Sequence, residues 1–118
     1  MNQQPSDTVY YDGRCPLCNK EITQRKTKTC SLQFIDAHTH TELPKPRHLL
    51  LQQLHVITRT GQTLIGLDAN IYMWRNSGAA RLAAFFSLPV IYPIATRIYT
   101  RWAKYRYQKL YGKMNDYQ

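Results

Sequence analysis

A strand-like segment that leads directly into a pair of cysteines constrains the fold of this chain more than any other feature. The run from Thr8 to Tyr11 is β-branched and aromatic, a composition that favours a short strand. Asp12 and Gly13 follow as a pair typical of a tight turn. The C-x-x-C pair of Cys15 and Cys18 comes next. The sequence therefore predicts a strand, a turn and a helix that begins at two thiols.

Two thiols three positions apart at a helix N-terminus can close a small disulfide ring. Backbone N–H groups and the positive end of the helix dipole stabilise a thiolate at this position. Arg14 adds a neighbouring positive charge, and Pro16 suits the first helical turn because its missing N–H has no helical partner there. We predict Cys15, expected at the exposed start of the helix, to be the nucleophile and Cys18 the resolving cysteine. The alternative is a pair of buried, unreactive cysteines.

Two further residues are candidates for supporting this chemistry. Asp12 could accept a proton or orient the thiol, but an Asx turn that accepts backbone N–H groups is the favoured interpretation. The reason is that a carboxylate close to Cys15 opposes ionisation of its thiol. His55 begins a later predicted strand, and it could face the dithiol across the sheet edge as an acid–base partner. The alternative for His55 is a hydrogen-bonded surface histidine without a catalytic role.

The cysteine count and the N-terminal sequence bear on location and cofactor. The first residues lack a basic segment and an apolar core of a signal peptide, so we expect a cytoplasmic protein. Structural disulfides are rare in that compartment, and the three cysteines therefore indicate a redox or metal-binding role. A redox dithiol needs no dissociable cofactor. Zinc is the less favoured alternative because no second compact ligand pair follows the C-x-x-C. Its candidate ligands are Cys15, Cys18, Cys30, His38 and His40.

The order of predicted elements indicates an α/β fold. We expect a disordered tail over residues 1–7 and a single domain over 8–118, with a basic helical extension at about 79–113. The predicted helices cover residues 16–27, 48–54, 68–76 with Asp68 as N-cap, and 94–113; the predicted strands cover 8–11, 31–36, 55–59 and 63–65. A β-α-β unit implies parallel strands and a right-handed crossover. With the following β-β-α unit, this order matches a thioredoxin-like architecture, with the thiols at the carboxyl end of the first strand.

The dithiol motif and several later segments resemble a known family. The run Tyr11-Asp12-Gly13-Arg14-Cys15-Pro16-Leu17-Cys18 is similar to the D-G-x-C-x-x-C signature of the thiol-disulfide oxidoreductase DCC family, a thioredoxin-like group. The similarity continues over about residues 8–110, at Phe34-Ile35-Asp36, Gly61, Gly66-Leu67-Asp68-Ala69, Tyr92-Pro93, Tyr99 and Arg106-Tyr107. The resemblance implies a thioredoxin-like fold and disulfide oxidoreductase activity.

The chain departs from ordinary thioredoxins at one position that this resemblance makes important. Thioredoxins place a cis-proline at the start of the strand that faces the active site, where its backbone pairs with the substrate chain and keeps metals off the thiols. The corresponding strand of this chain begins near Leu54-His55-Val56, without a proline. Its absence argues against general protein-disulfide reductase activity, and it leaves room for metal capture.

The chain is strongly basic, and much of the charge lies near its C-terminus. The formal net charge of +9 suggests an anionic neighbour, which could be a membrane surface, an acidic protein or nucleic acid. The last predicted helix carries the cations Arg97, Arg101, Lys104, Arg106, Lys109 and Lys113, and an apolar stripe of Ile94, Ile98 and Trp102. We expect the stripe to pack on the sheet and the charges to be solvated. The alternative is a helix that lies peripherally on an anionic membrane. No segment resembles a nucleic-acid-binding module, and no apolar run reaches the roughly 18 residues of a membrane-spanning helix.

Overall fold

Four strands form one mixed sheet in the part of the chain that the structure describes. The structure is a computed structural model, and it describes residues 7–28, 32–39 and 43–111. The strands are β1 (Asp7–Tyr11), β2 (Leu32–Asp36), β3 (His55–Ile57) and β4 (Thr63–Ile65). Their spatial order is β2-β1-β3-β4. β1 and β2 are parallel, whereas β3 is antiparallel to both of its neighbours. This is the sheet of a thioredoxin-like fold, as the sequence predicted.

Five helices surround this sheet in the described residues. They are α1 (Pro16–Lys26), α2 (Arg47–Gln52), α3 (Leu67–Arg75), α4 (Ala80–Phe86) and α5 (Ile91–Tyr111). α1 connects the parallel strands β1 and β2, so the crossover that the β-α-β pattern predicted is present. The α1, β1, β2 and β4 predictions are confirmed to within a residue at the described ends.

Several predicted boundaries were wrong, and each has a local reason. β1 begins at Asp7, which was assigned to the disordered tail; residues 1–6 lie outside the described residues. β3 ends early because the backbone turns at Thr58, whose N–H donates to the Gln62 carbonyl. Asp68 lies inside the first turn of α3, and Gly66 is the N-cap. α5 begins before Pro93, which fits the first turn because the N–H groups there need no helical partner.

The two faces of the sheet are covered by different helices. On one face, Val9 and Val56 pack with Ile22 of α1 and Met73 of α3 in a fully buried cluster. On the opposite face, Tyr10 packs against Leu50 and Leu51 of α2. Alternation along β1 produces this division, since successive side chains of a strand point to opposite faces.

The last helix, α5, connects both of these layers. Its Tyr99 packs in the apolar cluster formed by α3 and α4, and its Tyr107 packs against the α2 cluster. α5 therefore passes over the end of the sheet. Among the described residues, no single helix is long and apolar enough to cross a membrane; α4 and α5 satisfy that test only as a pair, and the chain bends by 98° between them.

Gly66 at the start of α3 provides a test of the local backbone geometry. Its φ of +68° is a value that side-chain-bearing residues rarely adopt, and an added Cβ would lie 2.4 Å from Gln53 Oε1. We expect Gly66→Ala to lower the free energy of unfolding by about 1–3 kcal/mol. Gly61→Ala is the matched control, because Gly61 also has a positive φ but faces open space. Equal losses in urea unfolding for the two variants would contradict this description.

Candidate active site

Cys15 and Cys18 lie together at the N-terminus of α1, as the sequence predicted. Cys15 is the N-cap, with an extended backbone, and its Sγ accepts a hydrogen bond of 3.4 Å from the Cys18 N–H. Pro16 occupies the first turn of the helix. The Cys15 N–H donates to the Asp12 carbonyl at 3.2 Å, which closes the turn between β1 and α1. Both thiols are free and lie in one turn of a helix at the carboxyl end of β1.

The exposure of the two thiols differs from the prediction. Cys15, expected at the exposed start of the helix, is only 2% exposed, whereas Cys18 is partly exposed. A long-range contact lies close to this position: α5 brings Arg106 to Asp12, three residues before Cys15, and the Arg106 charge interacts with Cys15. A C-x-x-C motif contains no information about a helix some 80 residues later in the chain.

The environment of Cys18 keeps its thiol protonated at neutral pH. The pKa of Cys18 is raised to about 12, first by burial and then by its hydrogen bond with the Cys15 thiol. The positive charge of Arg106 opposes this rise. Cys18 is therefore a protonated thiol that is hydrogen-bonded to Cys15.

Asp12 is the buried anion of the site. Its Oδ2 accepts from Arg106 Nη1 at 2.8 Å, and its Oδ1 lies 2.8 Å from His38 Nε2. The Arg14 N–H donates to Asp12 Oδ1 at 2.9 Å, so the Asx-turn interpretation is confirmed. Arg14 contributes to this turn through its backbone. Asp12 thus joins the turn before the thiols to α5, a role the local sequence did not predict.

Arg106 is the functional residue that sequence reasoning missed. It was grouped with the solvated charges of α5, but its guanidinium is buried and donates to the carbonyls of Leu51 and Gln52 as well as to Asp12. Its charge interacts with both Cys15 and Cys18. The only indication in the sequence was the family-like Arg106-Tyr107 pair, because helical periodicity does not distinguish a buried arginine from an exposed one.

Gly13 is required by the close approach of Asp36 to the turn. The Gly13 N–H donates to Asp36 Oδ1 at 3.1 Å, and the His38 N–H donates to the same oxygen at 2.9 Å. A Cβ on Gly13 would lie 1.9 Å from Asp36 Oδ2. The end of β2 therefore holds the turn in front of the dithiol in place, and any side chain at Gly13 would separate them.

His55 lies on the other side of the sheet from the dithiol helix. It pairs with Tyr10 of β1, whose side chain packs against α2, and neighbours in register point to the same face. His55 is buried, its Nδ1 contacts the Gln53 carbonyl at 2.9 Å, and burial lowers its pKa. This hydrogen-bonded position gives the acid–base interpretation no support, and the histidine is buried rather than at the surface.

The alternative zinc set is only partly within the described residues. Cys30 and His40 lie outside them, so the set stays a prediction. His38 is engaged with Asp12 through Nε2. Over residues 7–28, 32–39 and 43–111, no group of three or more His, Cys, Asp or Glu side chains is arranged to hold a metal ion.

Comparison with known proteins connects this geometry to a family. The model of a family described as DCC1-like thiol-disulfide oxidoreductase matches residues 9–112, a span that contains the dithiol turn, the sheet and Arg106 of α5. The chain belongs to this DCC1-like family. The resemblance predicted from the C-x-x-C signature is therefore confirmed, and it carries a thiol-disulfide oxidoreductase assignment at the level of the family.

Individual relatives add little beyond the DCC1-like family. The chain is 28% identical over 108 residues to an uncharacterised chloroplastic protein of Arabidopsis thaliana; the match covers 85% of the chain and 50% of the plant protein. The chain thus spans about half the length of this relative. No solved structure matches it at a significant level.

The buried pair of Asp12 and Arg106 yields a prediction about stability. Replacing Arg106 by Met leaves the Asp12 carboxylate buried without its cation, and we expect a loss of about 3 kcal/mol in the free energy of unfolding. The Asp12→Asn/Arg106→Met double variant should lose less, because no charge then remains buried. Urea unfolding gives the free energy of unfolding of the unchanged protein, of Arg106→Met and of the double variant.

The matched control for this prediction is Arg101→Met, which removes an exposed arginine from the same helix. It should change the free energy of unfolding by no more than about 0.5 kcal/mol. If Arg106→Met costs no more than Arg101→Met, the ion pair does not hold α5 to the site.

Proposed function

We propose that Cys15 and Cys18 form a redox-active dithiol that exchanges with disulfide substrates. Membership of the DCC1-like family supports this at the level of a reaction class. The observation that carries the finer proposal is the position of Cys15 as N-cap, with its sulfur accepting the Cys18 N–H and in hydrogen-bond contact with the Cys18 thiol. A sulfur at a helix N-terminus is stabilised as a thiolate, the form that attacks disulfides.

The proposed reaction has two exchange steps. The Cys15 thiolate attacks one sulfur of the substrate disulfide, a mixed disulfide forms, and the other substrate sulfur leaves as a thiolate. Cys18 then attacks Cys15 in the mixed disulfide, the second substrate sulfur leaves, and the two protons released by Cys15 and Cys18 convert both departed sulfurs to thiols. The products are a Cys15–Cys18 disulfide and two substrate thiols. Two electrons pass from the dithiol to the substrate, and the reverse reaction oxidises substrate thiols.

Asp12 and Arg106 act as positioning residues in this proposal. The Arg106 charge interacts with both sulfurs and favours the thiolate form. Asp12 neutralises part of that charge and fixes the guanidinium beside the turn. Because Cys15 is nearly inaccessible in this conformation, the attacking step needs a local displacement of the cover over its sulfur.

The roles of the two cysteines are tested in a Cys30→Ser background, so that no other thiol reacts. With bis(2-hydroxyethyl) disulfide as probe, Cys18→Ser should accumulate a mixed disulfide at Cys15, detected by mass spectrometry of peptides. Cys15→Ser should react at least about tenfold more slowly, because burial still raises the pKa of the remaining Cys18 thiol and so limits its thiolate form. A Cys15→Ser protein that keeps the full exchange rate would contradict the assigned order.

We propose a second function for the surface of α4 and α5, which is binding to an anionic membrane. The predicted apolar stripe does not pack as expected: Ile94 and Ile98 are 56% and 64% exposed, and only Trp102 turns inward. Arg97 and Arg101 alternate with the two isoleucines at helical spacing, so cations and apolar side chains share one exposed face.

The preceding segment, α4 and the turn before α5, also exposes large apolar side chains. These residues are Leu82, Phe85, Leu88 and Val90. A patch of exposed apolar side chains with interspersed cations fits a lipid surface, where the apolar groups enter the interface and the cations meet anionic headgroups. A cytoplasmic protein with this surface would be peripheral at the membrane.

Vesicle co-sedimentation tests the membrane proposal. We expect binding to phosphatidylcholine vesicles that contain phosphatidylglycerol, weaker binding at higher salt, and little binding to phosphatidylcholine alone. Ile94→Gln/Ile98→Gln should weaken binding about tenfold or more because it removes buried apolar area. Leu49→Gln/Ile65→Gln, which changes exposed apolar residues elsewhere, is the control and should bind normally. Absence of binding to anionic vesicles, or equal binding to neutral ones, would contradict the proposal.

A further inference from the structure

A cavity of about 270 Å³ lies beside the dithiol, and its wall includes Cys18. It is bordered by α1, α2, α3, α5 and the two residues between α2 and β3, Gln53 and Leu54, and it is partly open to solvent. Both tryptophans of the chain, Trp74 and Trp102, line it. Its volume is close to the lower end of small-molecule sites, about 300 Å³, and an apolar cavity of about 150 Å³ is enough to hold benzene. The cavity can therefore receive one ring or a short branched chain next to Cys18.

Several of the polar side chains that border the cavity have partners within the protein. Asp12 and Arg106 pair with each other, and Trp74 Nε1 donates to Glu21 Oε2 at 2.9 Å. Asn70 Nδ2 donates to the Gly66 carbonyl at 3.1 Å. The lining is mostly apolar and aromatic, and the charges of Asp12 and Arg106 offset each other. An uncharged apolar group is therefore the chemistry that fits this cavity.

Backbone groups of residues 51–54, at the end of α2 and before β3, are hydrogen-bonded to side chains of α5. The Leu51 and Gln52 carbonyls accept from Arg106 Nη2, and the Leu54 N–H donates to the Tyr99 hydroxyl at 3.4 Å. These are the backbone groups that an extended peptide would need if it paired with this segment. An extended polypeptide consequently has no free edge here, whereas a small molecule can enter the cavity without displacing α5.

From these observations we infer that the cavity binds the apolar arm of a low-molecular-weight disulfide and presents that disulfide to the Cys15–Cys18 pair. This inference rests on the proposed exchange function and specifies its substrate class. In one turnover, the dithiol loses two electrons and two protons as its own disulfide forms. The small disulfide is cleaved to two thiols, which take up those electrons and protons.

Binding is tested without any exchange chemistry in the Cys15→Ser/Cys18→Ser/Cys30→Ser protein. Because both tryptophans line the cavity, their fluorescence reports occupancy. Benzyl methyl sulfide, an unreactive apolar thioether, should produce a saturable change, and 2-(methylthio)ethanol should not. If benzyl methyl sulfide gives no saturable change, or if both thioethers give the same one, the cavity assignment is overturned whatever the dithiol does.

The rate of exchange provides the second readout. In the Cys30→Ser protein, the rate at which each disulfide oxidises the dithiol is divided by the rate at which the same disulfide oxidises dithiothreitol. This normalised rate should be at least about tenfold higher for dibenzyl disulfide than for bis(2-hydroxyethyl) disulfide. A tenfold difference corresponds to about 1.4 kcal/mol of apolar burial. Leu17 lines the cavity and is 63% exposed, and Leu17→Gln should reduce that ratio. Ile65→Gln, exposed on β4 and outside the cavity, is the control and should keep it.

The outcomes separate this inference from the proposed function. Equal normalised rates for the two disulfides would overturn the substrate class while leaving exchange by the dithiol in place. Failure of both disulfides to oxidise the pair would overturn the proposed function, and the fluorescence titration would still decide whether the cavity binds apolar thioethers. A protein disulfide such as insulin that is reduced faster than dibenzyl disulfide would also overturn the inference.

Discussion

The buried ion pair between Asp12 and Arg106 joins the parts of this protein that are most distant in sequence. Asp12 ends β1 and begins the turn to the thiols, and Arg106 lies in α5. Each charge is shielded from water, so neither would be tolerated without the other. Through the same guanidinium, α5 also holds the carbonyls at the end of α2. Asp12 and Arg106 also border the cavity beside the dithiol, so this contact lies between α5 and the site.

This arrangement gives the dithiol an environment unlike that of an open surface site. Cys15 is enclosed, Cys18 faces an apolar cavity, and one cation lies close to both. Burial raises the pKa of Cys18, and Cys15 occupies the N-cap of α1. A strongly shifted thiol pKa beside a buried charge is typical of functional sites. Membership of the DCC1-like family is consistent with this chemistry.

The features that sequence alone could predict are those encoded by neighbouring residues. The β1 strand, the Asp12-Gly13 turn and the Pro16 helix start depend on local conformational preferences, and all of them are present. The position of α5 depends on contacts between residues far apart in the chain, which helical periodicity does not contain. For this reason Arg106 was grouped with solvated charges, Ile94 and Ile98 were expected in the core, and Cys15 was expected to be exposed. The side of the sheet on which His55 lies could be predicted only from the register between β1 and β3, which the sequence does not show.

The most direct test of the central claim is a redox titration of the Cys30→Ser protein in glutathione buffers, with alkylation and mass spectrometry to count free thiols. We expect one reversible two-electron transition between the dithiol and a Cys15–Cys18 disulfide. Arg106→Met should have a more negative midpoint potential, because loss of the cation destabilises the thiolate of the reduced form. A pair that never closes, at any ratio of reduced to oxidised glutathione, would show that Cys15 and Cys18 are not a redox-active dithiol.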